Sequence, residues 1–219
     1  MLNLTIKKIK SKIRKIFSLN KFKGSEKYWK DRYKRGGTSG SGSYGHLAEL
    51  KAELLNNFVK QNQVRSVIEF GCGDGNQLKL SKYPNYLGLD ISKESIRNCI
   101  DFFSNDATKK FMRLDKYTNQ SADLSLSLDV IFHLTEDTVF HEYMNRLFNG
   151  STKYVIIYSS NADPKIGKHQ PHVRHRTFTE WVEKNQPLWK LIQQIPNKYP
   201  FDGTERTSFS DFFIYQKLA

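Results

Sequence analysis

Cysteine is scarce in this chain of 219 residues: Cys72 and Cys99 are the only two, too few for a disulfide framework and in neither zinc-ligand nor thioredoxin-like spacing. A reducing compartment follows, and the cytoplasm is the expected location. Long apolar runs are missing too, so neither a signal peptide nor a membrane-spanning helix is expected. Acids are nearly absent from the first 35 residues, which hold 13 Lys/Arg against Glu26 and Asp31. Almost all of the net charge of +13 is therefore expected to belong to an N-terminal arm and not to a groove of the folded body. That distribution argues against nucleic acid as the partner.

What is present is one domain's worth of chain. At 38% hydrophobic and 13% aromatic residues, the composition suits an ordered core and excludes a disordered chain. Residues 1–23 read as a basic amphipathic arm and 24–219 as the domain. In the arm, Leu2, Ile6, Ile9, Ile13 and Ile16 recur at helical spacing between lysines. Such a helix lies on an anionic membrane surface through residues 1–20, which would put the protein at the inner face of the membrane, or it packs on its own domain or a second copy.

Beyond a Gly/Ser-rich loop at 36–45, a helix carries Leu47, Leu50, Leu54, Leu55 and Phe58 on its apolar side. From Arg65 onward, apolar strands alternate with amphipathic helices, the pattern of a Rossmann-like, doubly wound, mostly parallel α/β sheet. Two last strand-like runs, WKLIQQIPN and DFFIYQKL, have no long helix between them. Seven strands closed by an antiparallel C-terminal pair are expected.

The first strand ends in E-F-G-C-G-D-G, with Gly71, Gly73 and Gly75 alternating after Glu69. Bare backbone at a strand-to-helix turn admits a ligand, but the third glycine comes one residue too early for a dinucleotide fingerprint. Asp90 ends the second strand, where a carboxylate accepts ribose hydroxyls; a simple helix cap is the alternative. Together the two features indicate a nucleoside ligand without a pyrophosphate.

IEFGCGDG, YLGLD, FMRLD and ADLSLSLDVIFHL, in that order over residues 60–160, resemble the successive motifs of class I S-adenosylmethionine-dependent methyltransferases. The resemblance implies S-adenosylmethionine as cofactor. Glu69, Gly71, Gly73 and Gly75 would line its methionine half, Asp90 its ribose and Ile91 its adenine. Asp115 and Lys116 would lie at the adenine edge, with Asp129 near the methyl group. The flanks YWKDRYKRGGTSGSGSYG, VIIYSSN and HVRHRTFTEWVEKNQPLWKLIQQIPNKYP are similar to methyltransferase domains of polysaccharide-locus and glycosyltransferase-linked proteins, which implies a sugar or glycan acceptor and a lid at 36–45.

An alcohol is a weak nucleophile, so a base on its proton helps the transfer. Asp129 and His133 are the catalytic candidates, with neutral His133 taking the hydroxyl proton. The cluster KHQPHVRHR offers His169, His172, Arg174, His175 and Arg176. Pro171 argues against a helical metal site there, and these residues are expected to line the acceptor pocket with Tyr158 and Ser160, from the end of the fifth strand; no metal is expected. RNA or another small molecule as acceptor, and a membrane-tethered module that binds cofactor without catalysis, are the alternatives. Against base methylation, the turn after the fourth strand reads Asp129-Val130-Ile131-Phe132 and not Asn/Asp-Pro-Pro-aromatic.

Overall fold

The computed structural model describes residues 22–163 and 170–218. The expected amphipathic helix of the arm and His169 lie outside the described residues. Helix α1 (Ser25–Lys34) and the 36–45 loop precede α2 (Gly45–Gln61). Strands β1 (Val67–Phe70), β2 (Tyr86–Asp90), β3 (Lys109–Arg113), β4 (Ala122–Leu128) and β5 (Ser151–Ser159) then alternate with α3 (Lys93–Phe102) and α4 (Asp137–Asn149). Helix α5 (Phe178–Asn185), β6 (Trp189–Ile195) and β7 (Asp211–Lys217) follow.

The strand order is β3-β2-β1-β4-β5-β7-β6. β1 to β5 run parallel, and β7 lies antiparallel to both β5 and β6. The expected antiparallel pair is therefore present, with the last strand inserted between β5 and β6. Side chains alternate across the sheet: Val67, Ile156, Tyr158 and Ile214 pack with Leu55 and Val59 of α2, while Ile68, Phe70, Val155 and Ile157 pack with Met144 and Leu147 of α4 and Phe178 and Val182 of α5. The residues are buried on both faces, which is why these strands read as nearly continuous apolar runs.

The connections reverse direction between β1 and β4, where two neighbouring strands send their chains to opposite faces and leave a crevice at their carboxyl ends. Gly71, Asp90 and Asp129 all stand at those ends.

Candidate active site

A cavity of about 230 Å³ opens at this crevice. Its floor is the glycine turn. Gly71 and Gly73 have φ of 91° and 58°, a region that favours glycine. A Cβ at Gly71 would lie 2.5 Å from Val130, and one at Gly73 would meet the Ser39 hydroxyl and, at 3.0 Å, that of Tyr33. Glycine is required here by close approach as well as by conformation. Gly75 serves differently from what the sequence implied: it packs against Cys99 and Phe103 of the α3 region, so its bare backbone seats a helix and not the ligand.

Asp90 is buried at the cavity wall, where Oδ1 accepts from the Ser92 amide at 2.8 Å and Oδ2 from the Gly73 amide at 3.1 Å. Ser92 caps α3, accepting from the Ser95 amide, so the helix cap is Ser92 and not Asp90. A carboxylate has about four acceptor positions, so the Ser92 and Gly73 amides do not exhaust the capacity of Asp90. Burial raises the Asp90 pKa to about 6 despite those amide donors. Glu69 accepts from the Tyr86 hydroxyl at 2.6 Å, and burial pushes its carboxyl up to about 7. Ile91 and Leu114 supply apolar wall. Asp115 and Lys116 are solvent-exposed, Asp115 bonded to Arg113 at 2.6 Å. The one-turn 3₁₀ segment after β3 points Leu114 inward in their place.

Asp129 lines the cavity in a left-handed conformation, φ 59°, which aspartate tolerates better than most residues. Its Oδ2 pairs with Lys51 Nζ at 2.6 Å and its Oδ1 accepts from Ser210 at 3.2 Å. Both oxygens are engaged, and Asp129 is the charge partner of Lys51. Lys51, missed at the sequence level, is only 1% exposed. Its charge also reaches Glu69, and a buried pair like this is costly to break, by about 3–5 kcal/mol. Gln77 was missed as well. Its Nε2 donates to the Ala48 carbonyl at 3.0 Å, leaving Oε1 buried without a partner. An orphaned acceptor in a cavity wall asks for a ligand donor.

His133 closes the other end of the cavity, in a one-turn 3₁₀ segment (Ile131–His133). Its Nδ1 lies 2.9 Å from the His172 carbonyl oxygen. A carbonyl only accepts, so Nδ1 carries the proton and Nε2 holds a free lone pair. Burial, with a smaller contribution from the charges of His172 and Arg32, lowers the pKa to about 4. The imidazole is neutral at physiological pH.

A roof covers this floor. Ser25, which opens α1, donates its amide and hydroxyl to Glu136 at 2.8 and 2.6 Å. Trp29 meets the His133 ring edge-on at 4.8 Å, and Tyr28 stacks on His172 at 4.3 Å. The 36–45 loop is clasped to the glycine turn: the Ser39 amide donates to Asp74 Oδ2 at 2.8 Å, the Asp74 amide donates back to Ser39 Oγ at 2.9 Å, and Tyr44 OH donates to Asp74 at 2.7 Å. The loop thus lies where the lid was expected.

The remaining acceptor candidates do not gather at the cavity. Tyr158 is in the core with its hydroxyl on Asn197. Ser160 and His175 are buried and bonded to each other. Arg174 and Arg176 donate to the Thr135 carbonyl, Arg176 also to Leu134, and both pair with Asp137 at 2.9–3.0 Å. These arginines fasten the segment leading from His133 into α4. Among the described residues of the cluster, His172 alone approaches the site, through its carbonyl and ring. Among the described residues no group of three His, Cys, Asp or Glu could hold a metal, and no helix is long and apolar enough to cross a membrane.

Residues 68–155 match the family profile described as a methyltransferase domain. Similar solved folds include magnesium protoporphyrin IX methyltransferase from Synechocystis with bound SAM (13% identity, 90% of this chain and 99% of that one, TM-score 0.61). The N-methyltransferase NodS from Bradyrhizobium japonicum in complex with S-adenosyl-L-homocysteine aligns at 12% identity over 78% of this chain and 87% of that one, TM-score 0.61. The methyltransferase domain of a bacterial Hen1 protein aligns at 16% identity over 77% and 97%, TM-score 0.59. No curated protein gives a significant sequence match.

Proposed function

We propose that this chain, whose Rossmann-like methyltransferase domain takes S-adenosylmethionine as cofactor, methylates a sugar hydroxyl with His133 as the base. One observation carries the choice of a hydroxyl: the Nδ1 contact to the His172 carbonyl fixes the tautomer that leaves His133 Nε2 as an acceptor at the cavity wall. The likeness of the flanking sequences to glycan-modifying methyltransferase domains supports a sugar. So does the aromatic ring of Trp29 against His133, because a pyranose offers an apolar C–H face and a hydroxyl edge together.

The residues present fit the cofactor. Asp90 would hold the ribose, Ile91 and Leu114 the adenine, and the bare Gly71–Gly73 backbone with the unpartnered Gln77 Oε1 the methionine half. When bound, S-adenosylmethionine supplies an electrophilic methyl group on a sulfonium. His133 orients the incoming hydroxyl by accepting its hydrogen bond and receives its proton as the oxygen loses electron density. Trp29, Tyr33 and the clasped 36–45 loop exclude water and hold the geometry.

The test is label transfer from methyl-labelled S-adenosylmethionine to free sugars, nucleotide sugars and RNA. An alkali-stable methyl ether on a sugar is expected; label on RNA or on an amine would overturn the reading.

Cofactor binding should also release protons. Asp90 and Glu69 are raised to about 6 and 7, so both are partly protonated around pH 6. Ribose hydroxyls and the methionine ammonium favour the carboxylate forms. Affinity then rises with pH through this interval, and calorimetry in buffers of different ionisation enthalpy reads the protons released. Binding enthalpy independent of buffer would contradict the assignment.

A further inference from the structure

Helix α1 serves two cavities. Ser25, Trp29 and Tyr33, spaced four apart, face the cavity described above. The adjoining stripe of Lys27, Tyr28, Arg32 and Arg35 faces a separate open groove of about 820 Å³, to which Lys23 and Asp31 also contribute. Four cations meet one acid there. Asp31 is already bonded to Lys27 at 3.1 Å, and its carboxyl is held below the usual range by that hydrogen bond first, with Arg35 and Lys34 adding to the effect. Lys23 and Arg35 make no ion pair among the described residues. A surplus of positive charge gathered in one concave surface favours an anion of more than one charge.

The groove ends at the acceptor side of the active site. Tyr28, in its wall, stacks on His172, whose carbonyl holds His133. Arg32 donates to the Tyr28 hydroxyl at 3.4 Å, and its charge adds to burial, the larger cause, in lowering the pKa of both histidines. The two arginines expected to line the acceptor pocket, Arg174 and Arg176, are engaged elsewhere.

We propose that this groove binds the phosphates of a phosphorylated acceptor, a sugar carried on a diphosphate, with Tyr28 at the boundary between phosphate and sugar. The proposal rests on the sugar-hydroxyl reading and specifies the charge of its substrate. Arginine and lysine together suit such a group: the first forms paired hydrogen bonds to two oxygens, and the second acts as a point charge. Because the groove is open, binding weakens as salt rises.

The experiment titrates inorganic pyrophosphate into the full chain saturated with S-adenosyl-L-homocysteine, at low and high salt. The variant Lys23→Glu/Arg35→Glu reverses two charges that make no ion pair among the described residues. Its pyrophosphate affinity is expected to fall roughly tenfold, with S-adenosyl-L-homocysteine affinity unchanged. No pyrophosphate binding, or equal binding by the variant, overturns the proposal. So does a variant that loses partition onto phosphatidylglycerol vesicles when pyrophosphate does not displace the wild type from them, since the groove would then serve a membrane. The two readings fail separately. If no sugar is methylated while variant-sensitive pyrophosphate binding persists, the sugar reading falls and the anion site stands. If an unphosphorylated sugar is methylated and pyrophosphate does not bind, the reverse holds.

Discussion

Replacing Asp90 by alanine is expected to weaken cofactor binding by roughly 100-fold. Two hydroxyl hydrogen bonds to a carboxylate contribute about 1.5 kcal/mol each, and 1.4 kcal/mol is a factor of ten. Asp90 also accepts from the Gly73 and Ser92 amides, so the alanine variant loosens the floor of the cavity as well. Asp90→Asn separates the two effects. It retains the side-chain volume and one acceptor oxygen but faces one backbone amide with a second donor, so an intermediate loss is expected. Titration calorimetry with S-adenosyl-L-homocysteine reads both variants. Unchanged affinity in Asp90→Ala would remove the ribose assignment whatever the state of the turn.

Turnover should fall about 100-fold in His133→Ala, at the lower end of what a general base contributes, with cofactor affinity within about twofold of the wild type. The ring also packs against Trp29 and Phe132, so loss of rate alone would not separate proton transfer from packing. The pH profile does. Protonation destroys the Nε2 lone pair, and burial has lowered the pKa to about 4, so kcat at saturating cofactor stays level on the acid side until pH approaches that value. The ratio of kcat to KM for the cofactor declines earlier, through the titration of Glu69 and Asp90 near 7 and 6. An acid limb in kcat near the ordinary histidine value would exclude a buried His133 as the titrating base.

Glu69, Gly71, Gly73, Asp90 and Ile91, expected on the donor side, line one cavity, and their signals are local. Glycines at alternate positions and an acid at the end of the next strand are set by backbone geometry a few residues away. Lys51 could have been read from the helix itself: it occupies the same stripe as Leu47, Ala48, Ala52 and Leu55, a lysine where the pattern calls for an apolar residue. The acceptor side depended on contacts between distant segments. HVRHR looks like a cluster of ligands, yet Arg174 and Arg176 find their carbonyls and Asp137 some 40 positions earlier. No spacing rule contains that information. Tyr158 misled for another reason. It stands at a strand's carboxyl end, but on the face packed against α2 and next to β7, so its side chain enters the core and not the crevice.

The clasp of Ser25 on Glu136 and of Ser39 on Asp74 joins two portions of chain with different duties. The glycine turn, Asp90 and Asp129 on the cavity floor come after residue 66, whereas Ser25, Trp29, Tyr33 and Ser39 over it come before residue 46. The covering segment is thereby tied to the body of the domain at its helix and at its loop, so that the cover and the cavity floor are joined by side-chain contacts and not by the sheet.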